Sequence, residues 1–405
     1  MALLYRLAYT SVRFLATWIG LVATSALIGY VMNMYVQYVL TKFDSSKPAP
    51  LMGKLDQSLN LRKTVIISSY YKSGADTIGD ILGNRPDTFY SIEPLLSIGL
   101  SRYVSDSENV CNNIRLHCVK SWSASNSMKI VTDLIKCSEN EIFEHYNLRW
   151  DHGGTVWQKY RDCLNDNMNP KELCHRYLGH QCQTAKNRVM RLDRLSLQVL
   201  GSYMKKYDNM TVVHVFRDPR GIINEYIKGD KLSYKSLPTR IADYAKGLCK
   251  RMAEDFTEGV KLTELYPKRF KMMLYEDFKL EMLTVARPLF RFIGYQITNH
   301  DVTAIDSLQG KRPGLGSKSL KDFNAALNSD MDRYDILNTF PIDSVPILLN
   351  PFAWRREIKE EHVKIIDSKC TEVYKSLGYN TYNTYKEMRS LKDVPSYGRG
   401  GIYPF

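Results

Sequence analysis

The chain has no C-x-x-C pair, no G-x-x-x-x-G-K-[ST] stretch and no dense run of Lys and Arg. The first absence argues against the usual zinc sites, which take ligands at short regular spacing, so no metal is expected. The second excludes a Walker A phosphate loop. The third, together with the lack of any RNA-binding or zinc-finger signature, removes nucleic acid from the expected partners. Charge is nevertheless one-sided: a formal net charge of +13 and a pI near 9.2 describe a surface that attracts polyanions, which leaves anionic membranes and acidic glycans. Within 14–41 charge is missing altogether. About 20 apolar residues suffice to cross a bilayer as a helix, so this stretch reads as one N-terminal transmembrane helix. A cleaved signal peptide is the rival, because small residues from Ala23 to Ala26 suit a peptidase, but the apolar run continues past them.

The expected organisation is a short cytosolic tail (1–13), a signal anchor (14–41), a stem (42–62) with Ser45, Ser46, Lys47, Pro48 and Pro50, and one body from 63 to 405. No internal repeat interrupts that body, and 44% hydrophobic with 24% charged residues is a globular composition. The charges flanking the anchor barely orient it, since Arg6 and Arg13 face Lys42, Lys47 and Lys54. Cysteine decides more. All eight (Cys111, Cys118, Cys137, Cys163, Cys174, Cys182, Cys249 and Cys370) follow the anchor, which points to an oxidising compartment and permits four disulfides without prescribing their pairing. With the sequon Asn209-Met210-Thr211 they place the body in a lumen, on the far side of a single-pass type II anchor.

Thr64 to Ser69 is a β-branched run that reads as a buried strand, and it leads through Lys72-Ser73-Gly74 into an Ile78, Ile81, Leu82 helical stripe. Thr211 to Phe216 repeats the pattern, ending at Arg217-Asp218-Pro219-Arg220 before Ile222, Ile223 and Ile227. Phe270 to Leu274 is a third strand. Strands alternating with helices predict an α/β fold, a P-loop-NTPase-like parallel sheet flanked by helices, with ligands beyond the carboxyl ends of the strands. Near the end, Val363, Ile366, Cys370, Val373 and Leu377 share one helical face, and Gly378 sits where that helix would stop.

The first loop puts a cation, a hydroxyl and a glycine just ahead of a helix, where backbone N–H groups form an anion cradle. By itself a Lys-Ser-Gly turn is an ordinary loop. In context, Ile66 to Leu95, with Asp80-Ile81-Leu82, Pro86 to Tyr90 and Glu93-Pro94-Leu95, resembles the 5′-phosphosulfate-binding region of the Golgi carbohydrate 6-O-sulfotransferases. That family acts on galactose, N-acetylglucosamine and N-acetylgalactosamine. Val213 to Ile222 is similar to its 3′-phosphate-binding strand and loop, and matches continue at Arg188 to Leu192, Leu274 to Phe278, Trp354-Arg355-Arg356 and Leu377-Gly378-Tyr379. The stretches 100–185 and 300–345 match poorly, and acceptor choice is expected there.

The resemblance implies the sulfotransferase fold and 3′-phosphoadenosine 5′-phosphosulfate (PAPS) as co-substrate. It implies that Lys72 stabilises the departing 5′-phosphate, that Ser73, Gly74, Ala75, Asp76 and Thr77 line the cofactor loop, and that Arg217 binds the 3′-phosphate. Glu93, before Pro94, would be the general base, or a brace for its loop. Arg188 and Arg191 would meet an anionic acceptor or serve structure, and His214 reads as a core histidine. Acceptors would be chondroitin, keratan or N-acetylglucosamine-bearing chains in the Golgi, and a homo-oligomer is left open.

Two positions depart from the family. Its first loop runs close to Arg-Ser-Gly-Ser-Ser, where this chain has Lys72-Ser73-Gly74-Ala75-Asp76, and Lys lacks the bidentate fork of Arg. It also has a serine where Glu225 stands here. Both changes bring a carboxylate toward a polyanion, so the alternative is a diverged, non-catalytic glycan-binding relative with weak or no PAPS affinity.

Overall fold

The computed structural model describes residues 63–308 and 350–389, apart from 84, 86, 100, 115–116, 139–153, 167–169 and 230–236, together with Met34. Met34 aside, the predicted span and stem lie outside the described residues, as do 309–345 of the poorly matching stretch. Among the described residues no helix is long and apolar enough to cross a membrane.

The strands are β1 (Thr64–Ser68), β2 (Thr88–Ile92), β3 (Arg102–Val104), β4 (Asn109–Asn112), β5 (His117–Lys120), β6 (Asn187–Leu192), β7 (Met210–Phe216) and β8 (Phe270–Leu274). Five of them form one sheet in the order β2-β6-β1-β7-β8, with every pairing parallel. Parallel strands are buried on both faces, which is why β1 and β7 read as unbroken apolar runs rather than alternating ones. Ile66, Met190 and Val212 face one core, while Val65, Ile67, Val189, Val213 and Val215 face the other.

Six helices matter for the site. They are α1 (Ala75–Gly83), α2 (Pro219–Gly229), α3 (Leu237–Leu265), α4 (Tyr275–Leu280), α5 (Trp354–Glu357) and α6 (Glu360–Leu377). Ile78, Ile81 and Leu82 of α1 pack on the second core, and Leu248 and Met252 of α3 with Ile366 and Val373 of α6 pack on the first. The apolar face predicted for the C-terminal helix is the buried face of α6, and Gly378 ends it at φ 75°, a left-handed stop that suits glycine.

β3, β4 and β5 make a separate antiparallel sheet in which Cys111 and Cys118 sit opposite each other and are bonded. The remaining cysteines pair as Cys137–Cys182, Cys163–Cys174 and Cys249–Cys370, the last joining α3 to α6.

Candidate active site

Each strand of the parallel sheet ends at a residue that can bear on a ligand: Ser69 after β1, Glu93 after β2, Asp193 after β6, Arg217 after β7 and Tyr275 after β8. After β1 the loop turns tightly. Ser73 N–H donates to Tyr70 O at 2.9 Å and Thr77 N–H to Gly74 O at 3.2 Å, while Ser73 Oγ accepts from Ala75 N–H at 3.4 Å. Gly74 holds φ 83°, and a methyl placed on it would come within 2.3 Å of the Tyr275 ring, so conformation and space both demand glycine. Lys72 also holds a positive φ of 68°, unfavourable for a side-chain-bearing residue and therefore in need of outside support.

That support comes from β7. Arg217 Nη1 donates to the Lys72 carbonyl at 3.0 Å, and its guanidinium stacks over Tyr275 with 4.7 Å from Cζ to the ring centroid. The two predicted strand-end turns therefore meet. Arg217 is 8% exposed, and its Nε is a buried donor with no hydrogen-bond partner among the described residues. Such groups are rare in folded proteins, and each invites an explanation. The neighbouring Asp218 and Arg220 do structural work: they pair at 2.8 Å, and Arg220 packs over Trp354 and Tyr374.

Tyr275 marks where the predicted residues converge. Burial lifts its phenol to about 12, Arg217 pulls the other way, and Asp76, Glu276 and Glu225 push it up, so all four ionisable groups lie around this ring. Neither departing carboxylate stands unopposed. Asp76, exposed in the first turn of α1, acts on Arg191 and on Lys279 of α4; burial lowers the Lys279 ammonium and Asp76 resists that shift. Burial works against the Arg191 cation too, yet Asp193, Tyr90, Asp76 and Asp80 outweigh it and hold its pKa above the ordinary arginine value. Glu225 has Lys228 Nζ 3.7 Å away, and Lys228 also reaches Glu357 at 2.5 Å.

Glu93 is 5% exposed at φ 47°; one oxygen accepts from the Asp193 N–H, and the other is ion-paired with the Arg194 guanidinium without a hydrogen-bond partner among the described residues. This is the geometry of a brace between β2 and β6. Asp193 is as deeply placed as Glu93: Ser69 Oγ donates to it at 2.5 Å, Arg191 Nε stands 3.7 Å away, and burial raises its pKa.

Arg188 is not brought to the others. It pairs with Thr64 at the amino end of the sheet, is 2% exposed, and donates to Ile135 O at 2.6 Å, so it faces the protein interior rather than an acceptor. His214 is fully buried between Ser68 Oγ at 3.1 Å and Tyr70 Oη at 3.0 Å, and burial holds it well below the ordinary histidine pKa.

Glu276 and Lys279 were not identified as site residues from sequence. The motif Leu274 to Phe278 signals the first. Nothing local signals Lys279, whose proximity to Asp76 depends on the fold. Glu276 is fully buried, and its Oε1 accepts from Asp218 N–H at 2.8 Å, fixing the Arg217 turn; burial lifts its pKa to about 8. The whole arrangement sets Lys72, Arg217, Arg191, Lys279 and the start of α1 at one edge of the sheet, which is the chemistry of a polyanion site.

The Sulfotransferase domain family model matches residues 62–309. Carbohydrate sulfotransferase 5 of Mus musculus is 22% identical to this chain, over 82% of it and 85% of the relative. Carbohydrate sulfotransferase 6 of Homo sapiens is 20% identical over 92% and 93%. Among solved structures, the sulfotransferase domain from the Synechococcus PCC 7002 olefin synthase aligns at 14% identity and a TM-score of 0.33, covering 76% of this chain and 94% of that one.

Proposed function

The chain belongs to the sulfotransferase domain family, and from that premise we propose that it transfers a sulfuryl group from PAPS to a sugar hydroxyl of a glycosaminoglycan or glycoprotein glycan, as a type II membrane protein with its catalytic body in the Golgi lumen. The observation that carries the reading is the bond from Arg217 to the Lys72 carbonyl, which brings the two cationic turns to one place. The residues present fit a doubly phosphorylated nucleotide: the buried Arg217 Nε lacks a partner among the described residues, and Gly74 lets the first loop lie close to Tyr275.

Bound PAPS supplies an activated sulfuryl group whose transfer leaves added negative charge on the 5′-phosphate. Lys72, with the amino-terminal end of α1, neutralises that charge, and Arg217 holds the 3′-phosphate. Lys279 and Arg191 offset the Asp76 carboxylate, and Lys228 offsets Glu225. A carbohydrate acceptor is supported by the names of the relatives, and a lumenal body by the four disulfides.

The test is transfer of labelled sulfate from PAPS to chondroitin, keratan and N-acetylglucosamine-terminated acceptors, with Lys72→Ala and Arg217→Ala beside the wild type. Activity in the wild type and its loss in both variants is expected; activity that survives both substitutions removes the site. The exposed carboxylate of Asp76 in the first turn of α1 favours one other reading, a glycan-binding relative without catalysis. Lack of thermal stabilisation by adenosine 3′,5′-bisphosphate would select it.

A further inference from the structure

Trp354, in α5, is 1% exposed, and its indole Nε1 is a buried donor with no partner among the described residues, as is Nε of Arg217. A buried indole N–H normally finds an acceptor, and so does a guanidinium. The two orphans are neighbours although they are distant in sequence. A methyl placed on Gly221 would come within 3.1 Å of Arg217 Nε and 3.3 Å of Trp354 Nε1, so both nitrogens border the bare face of that glycine. Two backbone donors of α2 are already engaged there: Asp218 Oδ1 takes the Arg220 N–H at 2.9 Å, and the Ile222 N–H bonds to Asp218 O at 3.1 Å. The two side-chain N–H groups beside Gly221 are not. The indole is held in place from one side by the Arg220 guanidinium, 5.1 Å from its ring.

We propose that Trp354 is a nucleotide-binding residue, its indole N–H sharing the 3′-phosphomonoester with Arg217, while the missing side chain at Gly221 lets both donors pack side by side. The assignment rests on the PAPS reading above and extends it to a residue from the far end of the fold. It also ties the C-terminal segment to nucleotide binding, because only the packing of α5 against α2 brings the indole to Arg217.

The test is calorimetric binding of adenosine 3′,5′-bisphosphate and of adenosine 5′-monophosphate to the full chain, wild type against Trp354→Phe and Gly221→Ala. Phenylalanine removes the N–H and keeps a ring for Arg220; alanine crowds the two donors. Each variant should weaken the bisphosphate roughly tenfold, the worth of one charge-assisted hydrogen bond, and leave the monophosphate unchanged. Unaltered bisphosphate affinity in Trp354→Phe, or an equal loss for both nucleotides in both variants, overturns the inference while the PAPS reading stands. A wild type that binds neither nucleotide overturns both.

Discussion

Arg217 donates to the main-chain carbonyl of Lys72 across a sequence separation of 145 residues. The bond fixes a backbone oxygen, so it sets where the first loop lies whatever the Lys72 side chain does, and it leaves the second edge of the guanidinium for a ligand. Arg217→Ala should therefore weaken adenosine 3′,5′-bisphosphate about 100-fold, with Arg217→Lys recovering little, because one ammonium cannot hold the carbonyl and a phosphate in a fixed fork. Hydrogen exchange across 70–74 should rise in both variants. A lysine variant of wild-type affinity and unchanged exchange would remove the coupling.

Asp76 lies in the first turn of α1, and Lys279 is one of the cations that answer it. Asp76→Ser should tighten bisphosphate binding a few-fold, since a like charge leaves the edge of the cradle. Lys279→Ala should weaken binding in the wild type and weaken it less when Asp76 is already serine, a non-additivity expected of interacting charges. Binding titrations on the four proteins, at low and high salt, measure the coupling; strict additivity would mean the two groups act independently.

Much of this arrangement was legible in the chain, for a physical reason. β1, β7 and β8 are buried on both faces and so read as continuous apolar runs, and the stripe from Val363 to Leu377 with Gly378 after it is a helix with a left-handed stop. Strand ends followed by Lys72 and Arg217 already marked two turns that the structure brings together. The residues proposed to join them were not legible, because their meaning is relational. Lys279 is an ordinary lysine until α4 sets it near Asp76, and Trp354 is one more core aromatic until α5 packs on Gly221. Arg188 shows the converse. Three residues before Arg191 in a strand, it lies toward the amino end of β6 and inside, so a motif match alone could not separate the two.

Glu276 carries a pH signature. Burial lifts its carboxyl from the ordinary 4.5 to about 8. Between those values the native protein keeps a proton that the unfolded chain has released, so stability falls as pH rises through the window, by at most about 1.4 kcal/mol per pH unit, and levels off above it. Glu276→Gln keeps an acceptor for the Asp218 N–H and has no proton to lose. The difference in Tm between variant and wild type should therefore grow in the variant's favour from pH 5 to pH 8; parallel profiles would show that the carboxyl is not titrating there.

Cys249–Cys370 closes the longest covalent loop among the four, with a sequence separation of 121, and fastens α6 to α3. The double substitution Cys249→Ala with Cys370→Ala should cost on the order of 2–5 kcal/mol of stability. Thermal melts report the loss, and proteolysis should begin near α6. If Tm stays within a degree of wild type, packing of the α6 face alone secures this segment.

Glu93 separates catalysis from bracing. A general base needs an oxygen free to take a proton from the acceptor hydroxyl, whereas here one oxygen takes the Asp193 N–H and the other faces Arg194, in a residue held at positive φ. Glutamine keeps the first contact and discharges the second, leaving Arg194 buried without its counter-ion, and breaking a buried pair costs several times an exposed one. Glu93→Gln should accordingly lower Tm by several degrees while kcat falls less than tenfold at a temperature where the variant is folded. A thousandfold loss of kcat in Glu93→Gln at unchanged Tm would make Glu93 the base rather than the brace.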